Sequence, residues 1–525
     1  MHFTRPYMYV PCVSLVPRSY GAFYRNTAMT DRTTMINVVP EPLLTPPATL
    51  PTELKPAAPP SFIVRLCPAF SRGSVWGTVI NMCAAIMGAG CLSLPSAMAA
   101  LGVVPFGVLI LFTAVATHFS IVLLIAAIDA TGSHSFEDMT RLVIGTWTGH
   151  AVELAIIIFQ YGTLVAYTIA VGDVLSPVLS IDAVKNAMPW LTRDLVQIIF
   201  WACLMLPLSF VENISSLQIT SLIGQASLAY LVIAVTTHSL IDTAAAPQST
   251  YGSVALISKD LGPAASASAV ILFAFTCQVN IPSLYDELQT RTPETMSAVS
   301  MRACFLALTF YVLIGMSGYA NFPHTTQGNI LNNYCLLDPG KSALSADPPN
   351  VILPAFGCLA LTVLMAYPIN VFPTRTAIEM MCYPKAWVLD TALDAQGGGH
   401  ESSERGTERG AGMSGWAKLR HVLLTLAIAV STLLTALALP DINTVFALMG
   451  GICSPFICFL IPSAIAWRLA DRLALNRSLI GRLAVIGLGA FGTVIGVLST
   501  ATTVIGMLQP TSNMTYDPCN PPRPL

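Results

Sequence analysis

From Gly73 to Ile128 the chain carries no Asp, Glu, Lys or Arg. A soluble fold has no surface to hide so long an uncharged run, whereas a helix crosses a bilayer in roughly 20 apolar residues. The run therefore holds two crossings, divided by a turn at Ala100-Leu101-Gly102 with Pro105 just beyond. Further charge-free runs cover 154–172, 195–211, 213–241, 261–285, 303–337, 348–374, 421–440, 442–467 and 483–516. Only 10% of the 525 residues are charged, against about 25% in soluble domains. That composition excludes a soluble globular enzyme. The net charge of −2 offers no basic face to a nucleic acid. We expect an all-α integral membrane protein with eleven spans, near 75–99, 103–128, 151–179, 194–211, 217–240, 264–286, 302–321, 350–373, 420–439, 442–466 and 483–508.

Orientation follows from where Lys and Arg fall in the connections. With the N-terminus inside, the inner segments hold twenty of them and the outer segments five, namely Lys185, Arg193, Lys259, Lys341 and Arg523. The expected organisation is a disordered cytosolic tail over 1–74, Pro-rich from Pro40 to Pro60, then a transmembrane domain over 75–508. Residues 1–30 carry Arg and Ser but no acid, which superficially suits a transit peptide as well as a plain tail. A cytosolic loop over 376–418 contains the low-complexity tract Gln396–Gly415, where His400 reads as a solvated side chain. Residues 509–525 form a short non-cytosolic tail with a glycosylation sequon at Asn513. The sequons at Asn213 and Asn476 fall inside and should stay bare, and Cys335 and Cys519 are the only cysteines assigned to the outside. They are the pair free to form a disulfide there. The thirteen cysteines include no C-x-x-C pair.

Two spans are interrupted. The first reads Asn81-Met82-Cys83-Ala84-Ala85-Ile86-Met87-Gly88-Ala89-Gly90-Cys91-Leu92-Ser93-Leu94-Pro95. Glycine relaxes the backbone there and Pro95 removes a helical hydrogen bond. The sixth reads Phe273-Ala274-Phe275-Thr276-Cys277-Gln278-Val279-Asn280-Ile281-Pro282, with two amides and a proline in mid-membrane. Open backbone at that depth is tolerated only against protein or a water-filled cavity. Paired interruptions at matching positions of two inverted five-helix halves mark a transporter's central site. Close helix packing at Gly and Pro is the competing reading. The chemistry suits a zwitterion. N–H groups after Gly90 face a carboxylate, and carbonyls freed around Met87, Phe275 and Thr276 accept from an ammonium. On this reading Met87, Gly88, Ala89, Gly90, Cys91, Phe275, Thr276, Cys277, Gln278 and Asn280 bind substrate. Gln160, Tyr161 and Tyr167 are polar groups of span three, and Tyr161 is the preferred contact. His118 and His238 read as packed neutral side chains or as proton-relay elements, and Glu287 as a gate or interface anchor.

The first span resembles the opening motif of the amino acid/auxin permease family, which includes vacuolar and sodium-coupled neutral amino acid transporters. Asn81, Gly88, Gly90, Leu94, Pro95 and Ala97 carry the likeness. Phe275-Thr276-Cys277-Gln278 and Tyr285-Asp286-Glu287-Leu288 are similar to its sixth helix, with Gln278 in place of the usual His. Tyr367–Arg375 is similar to its eighth-helix ending, and Leu217–Ser221 to the approach to its fifth. The resemblance covers roughly 75–505. It implies a leucine-transporter-like core of ten helices in five-plus-five inverted repeat plus one more, and alternating access. It also implies small amino acids as substrate, and a plasma or vacuolar/lysosomal membrane. It implies H+ or Na+ as coupling ion, with no cofactor. Sodium in such relatives lies between the first helix and a hydroxyl on the eighth. Asn81 fits the first position, but the aligned eighth-helix position is Ala366, with Thr362 one turn earlier. Proton-coupled or uncoupled transport is therefore expected over sodium symport, with His118, Glu153 or a gate carboxylate as proton groups. No H-E-x-x-H, G-x-S-x-G or P-loop motif supports an enzyme. No ring of charges or filter repeat supports a channel. A transporter-like amino acid sensor is the remaining rival.

Overall fold

A computed structural model describes residues 73–179, 186–188, 190–210, 217–245, 254–323, 325–334, 349–382, 415–439, 441–470 and 479–508. The tail over 1–72, the tract around His400, residues 509–525, the three sequons, Cys335 and Cys519 lie outside the described residues. The helices are α1 Val75–Ile86, α2 Leu94–Leu101, α3 Val103–Thr131, α4 Phe136–Val143, α5 Thr146–Leu179, α6 Arg193–Phe200 and α7 Leu206–Ser209. They continue with α8 Leu217–Ala245, α9 Leu261–Ala274, α10 Ile281–Glu287, α11 Pro293–Asn321 and α12 Pro349–Cys382. The last four are α13 Gly415–Ala438, α14 Ile442–Pro455, α15 Ile461–Arg468 and α16 Leu479–Leu508. Among the described residues, nine helices are long and apolar enough to cross a membrane, and the bent pair α1/α2 makes up to ten. The protein is an all-α membrane protein. Outward residues such as Val108, Phe305 and Val497 stay more than 60% exposed, as lipid-facing positions require.

Local chemistry sets the ends. Ser74 accepts from the Gly77 N–H at 3.1 Å and opens α1. Thr292 and Asp441 do the same for α11 and α14. Gly102 (φ 86°) makes the turn from α2 into α3, and a Cβ there would lie 2.8 Å from the backbone of Leu256, Ile257 and Ser258. Val103 N–H and Val104 N–H donate to Ala255 O and Leu256 O, and Ser258 N–H donates to Leu101 O. Pro95 and Pro282 do not break helices. Each sits in the first turn of a restarting helix, α2 and α10, where a missing N–H costs nothing. The interruptions lie just upstream of them.

Two faces follow from the polar contacts. On the near face, where α1 starts, Gln289 N–H donates to Gly73 O, and Asp286 pairs with His134 at 2.7 Å and Arg291 at 2.9 Å. Buried Glu153 pairs there with Arg141 and His150, so it serves an ion-pair cluster. α4, a short helix that the sequence reading folds into a connection, brings Arg141 to this cluster. On the far face Asp173 pairs with Arg193 at 2.7 Å and accepts from Asn329. α8 packs on α12, α12 on α5, α9 on α14, and α3 on α11. These contacts gather α1/α2, α5, α8, α9/α10, α12 and α14 around one cavity.

Candidate functional site

α1 stops at Ile86, and α2 resumes after a 3-10 turn over Ala89–Ser93, with a bend of 52°. Met87 and Gly88 between them are extended. Neither Gly88 nor Gly90 has a positive φ, so they do not serve an unusual dihedral. They serve space. A Cβ on Gly88 would lie 3.2 Å from Tyr167 Oη, and one on Gly90 3.3 Å from Phe273. In the second break α9 ends at Ala274 and α10 begins at Ile281.

One buried side chain serves both breaks. Tyr311 Oη on α11 lies 2.9 Å from Ile86 O and 2.7 Å from Ala274 O. A hydroxyl has one proton, so two freed carbonyls share a single donor. Gln225 on α8 donates its Nε2 to Met87 O at 3.4 Å. Nothing local in the sequence marks Tyr311 or Gln225. Tyr311 meets carbonyls 225 and 37 positions away, and Gln225 one 138 positions away.

The breaks face a cavity of about 410 Å³. Its wall comes from Asn81, Ala84, Ala85 and Ile86–Gly90, from Phe159, Gln160, Thr163 and Tyr167 of α5, and from Gly224 and Gln225 of α8. The second break contributes Phe273, Ala274, Thr276, Asn280, Ser283, Leu284 and Glu287, and α12 contributes Thr362, Met365, Ala366, Ile369, Asn370 and Pro373. Phe446 completes the lining, stacked on Phe273 at 4.5 Å between centroids, and Phe159 lies tilted against Phe273 at 5.3 Å. The lining runs from these three rings to Glu287, Asn370 and Pro373 at the near-face end. Among its members Glu287 is the sole ionisable acid and there is no Lys, Arg or His. Such a wall holds neutral dipoles and freed backbone groups.

The sequence-derived candidates divide. Met87, Gly88, Ala89, Gly90, Thr276 and Asn280 line the cavity, and so do Asn81 and Thr362. Cys91, Phe275, Cys277 and Gln278 are buried behind the wall. Gln278 Oε1 accepts from the Cys277 N–H at 3.0 Å, so this side chain caps the break. Thr276 donates to Leu272 O and reaches Ser454 Oγ at 2.8 Å. Tyr161, the preferred contact in the sequence reading, does not reach the lining. Its hydroxyl bonds Thr435 of α13 at 2.8 Å, outside the lining. Gln160 and Tyr167 are the polar α5 side chains named in the sequence reading that reach the cavity, joined by Thr163. His118 bonds Ser300 Oγ at 2.8 Å, away from the cavity. Thr362 Oγ donates to Cys358 O.

Comparison with known proteins agrees with this architecture. The chain is 27% identical over 449 residues to vacuolar amino acid transporter 5 of Schizosaccharomyces pombe, covering 81% of this chain and 93% of that one. It is 27% identical to vacuolar amino acid transporter 6 of Saccharomyces cerevisiae, covering 75% and 90%. It is 26% identical to an amino acid transporter of Arabidopsis thaliana, covering 77% and 78%. The profile of the family described as transmembrane amino acid transporter protein matches residues 71–508. With two interrupted helices at one cavity that no Lys, Arg or His lines and a match over most of its length, the chain belongs to the transmembrane amino acid transporter family.

Proposed function

We propose that this chain carries small neutral amino acids across its membrane by alternating access, coupled to protons or uncoupled. The observation that carries the reading is the pair of interruptions opening on one cavity without a fixed cation. The zwitterion supplies both charges. Its carboxylate meets N–H groups at the start of the restarted first helix, which have no intrahelical partner. Its ammonium meets freed carbonyls at Met87 and near Ala274. Eleven spans follow if Arg193–Ser209 crosses as one short helix and α9/α10 and α14/α15 each cross once. Spans one to five and six to ten are then the inverted halves, with the near face cytosolic. The lining reaches Glu287 and Pro373 at that face, which supports reading this state as inward-facing.

Support for sodium independence comes from α12, where Ala366, a side chain without oxygen, stands at the position aligned with the relatives' sodium-binding hydroxyl and lines the cavity. The test is flux into proteoliposomes containing purified protein, with a panel including alanine, leucine and glutamine, in sodium or choline and with or without a pH gradient. Saturable uptake of a panel member is expected. Binding without flux would make the protein a sensor and refute the carrier.

A further inference from the structure

The amide of Gln225 is bonded on one side only. Its Nε2 donates to Met87 O, the freed carbonyl at the first break. Its Oε1 is shielded from solvent and has no hydrogen-bond partner among the described residues. The orientation of the amide is fixed by its partner, because a carbonyl accepts only from N–H. An enclosed acceptor left unbonded costs about 1–3 kcal/mol. An acceptor so placed beside the break is available to a donor that enters the cavity. Gln225 stands on α8, which packs against both α1 and α12, and it lines the cavity beside the break. Gly224 next to it leaves room toward Thr362, whose Cγ2 would lie 3.9 Å from a Cβ.

Building on the carrier reading above, we propose that Gln225 is a substrate-binding residue that recognises the ammonium of the amino acid. In the arrangement described its N–H holds the place of that ammonium at Met87 O. When substrate arrives, the ammonium donates to Met87 O instead. The Gln225 amide turns about its soft terminal torsion and presents Oε1 to a second ammonium proton. The exchange replaces one neutral hydrogen bond by two to a charged donor and turns Nε2 away from Met87 O toward the cavity. The cationic end is then read by a neutral side chain from the helix beside the break, so no buried carboxylate is needed. A buried carboxylate there would carry a large desolvation cost whenever the site stood empty.

The test compares each panel substrate with its des-amino acid: propionate for alanine, 4-methylpentanoate for leucine, glutaramate for glutamine. Competition against labelled substrate gives the ratio of the two inhibition constants in wild type, Gln225→Met and Gln225→Glu. Methionine keeps the length of the side chain and removes the amide, so the preference for the ammonium-bearing ligand should fall about tenfold or more. Glutamate adds charge beside the same carbonyl, so the preference should rise. A ratio unchanged in either variant overturns the assignment. Equal loss of affinity for both ligands, with the ratio preserved, assigns Gln225 to holding helix α1 and also overturns it. If one variant does not reach the membrane, the other alone decides, because the two predicted directions are opposite. Absence of uptake in wild type would instead sink the carrier reading.

Discussion

Replacing Tyr311 by Phe removes one oxygen from the centre of the protein and nothing else. The ring packs edge-on against Phe275 at 5.1 Å between centroids, and phenylalanine keeps that contact. What disappears is the donor shared by Ile86 O at 2.9 Å and Ala274 O at 2.7 Å. Tyr311 is fully buried, so water does not replace the lost donor. Leaving a buried acceptor unsatisfied costs about 1–3 kcal/mol. If that cost fell equally on every state of the transport cycle, only the thermal midpoint in detergent would drop. The two carbonyls belong to the two helix breaks, however, and alternating access moves those breaks. We expect the cost to fall unequally, and one factor of ten in turnover corresponds to about 1.4 kcal/mol. Tyr311→Phe should therefore melt earlier and transport about tenfold more slowly, at near-normal surface abundance. Wild-type melting together with wild-type turnover would refute the idea that this hydroxyl joins the breaks.

Gly90→Leu should abolish uptake while the protein still reaches the membrane, because the new side chain meets Phe273 at the cavity wall; normal uptake would remove this position from the path. Tyr167→Phe should raise KM several-fold and Tyr161→Phe should not, since only the former lines the cavity; the opposite ranking in kinetic titrations would contradict the lining. Uptake at fixed pH with choline in place of sodium should match uptake in sodium, and strict sodium dependence would direct attention to Thr362. Tags on the two ends should be protected on opposite sides of the membrane; a C-terminus on the same side as the N-terminus rules out an odd number of spans.

The spans were legible because a bilayer excludes charge more sharply than any fold does. Each of the charge-free runs contains all or most of at least one described helix, and the first, from Gly73 to Ile128, takes in α1, α2 and most of α3. The first break was legible at Gly88-Ala89-Gly90, although its glycines answer to Tyr167 and Phe273 and not to backbone dihedrals. The facing of helix α5 was missed although its signal is local. Gln160, Thr163 and Tyr167 stand at i, i+3 and i+7 and share the face that lines the cavity, whereas Tyr161 points about 120° away from Tyr167 at 3.6 residues per turn. Tyr311 and Gln225 escaped notice for a different reason. Each acts on a carbonyl more than a hundred positions distant, and such a pairing leaves no local pattern.

The three main-chain hydrogen bonds that tie Leu101, Val103 and Val104 to Ala255, Leu256 and Ser258 have an evolutionary consequence. They yoke the far end of α2 to the strand of chain that leads into α9, so the two half-helices share a backbone splint above the breaks. Side-chain contacts can be erased by single substitutions, but an amide proton survives every replacement except proline. Mechanical linkage of the half-helices can therefore persist while lipid-facing and loop side chains drift. The vulnerable points are the donors Val103, Val104 and Ser258, where one codon change to proline cuts a bond, and Gly102, where any side chain forces the splint apart.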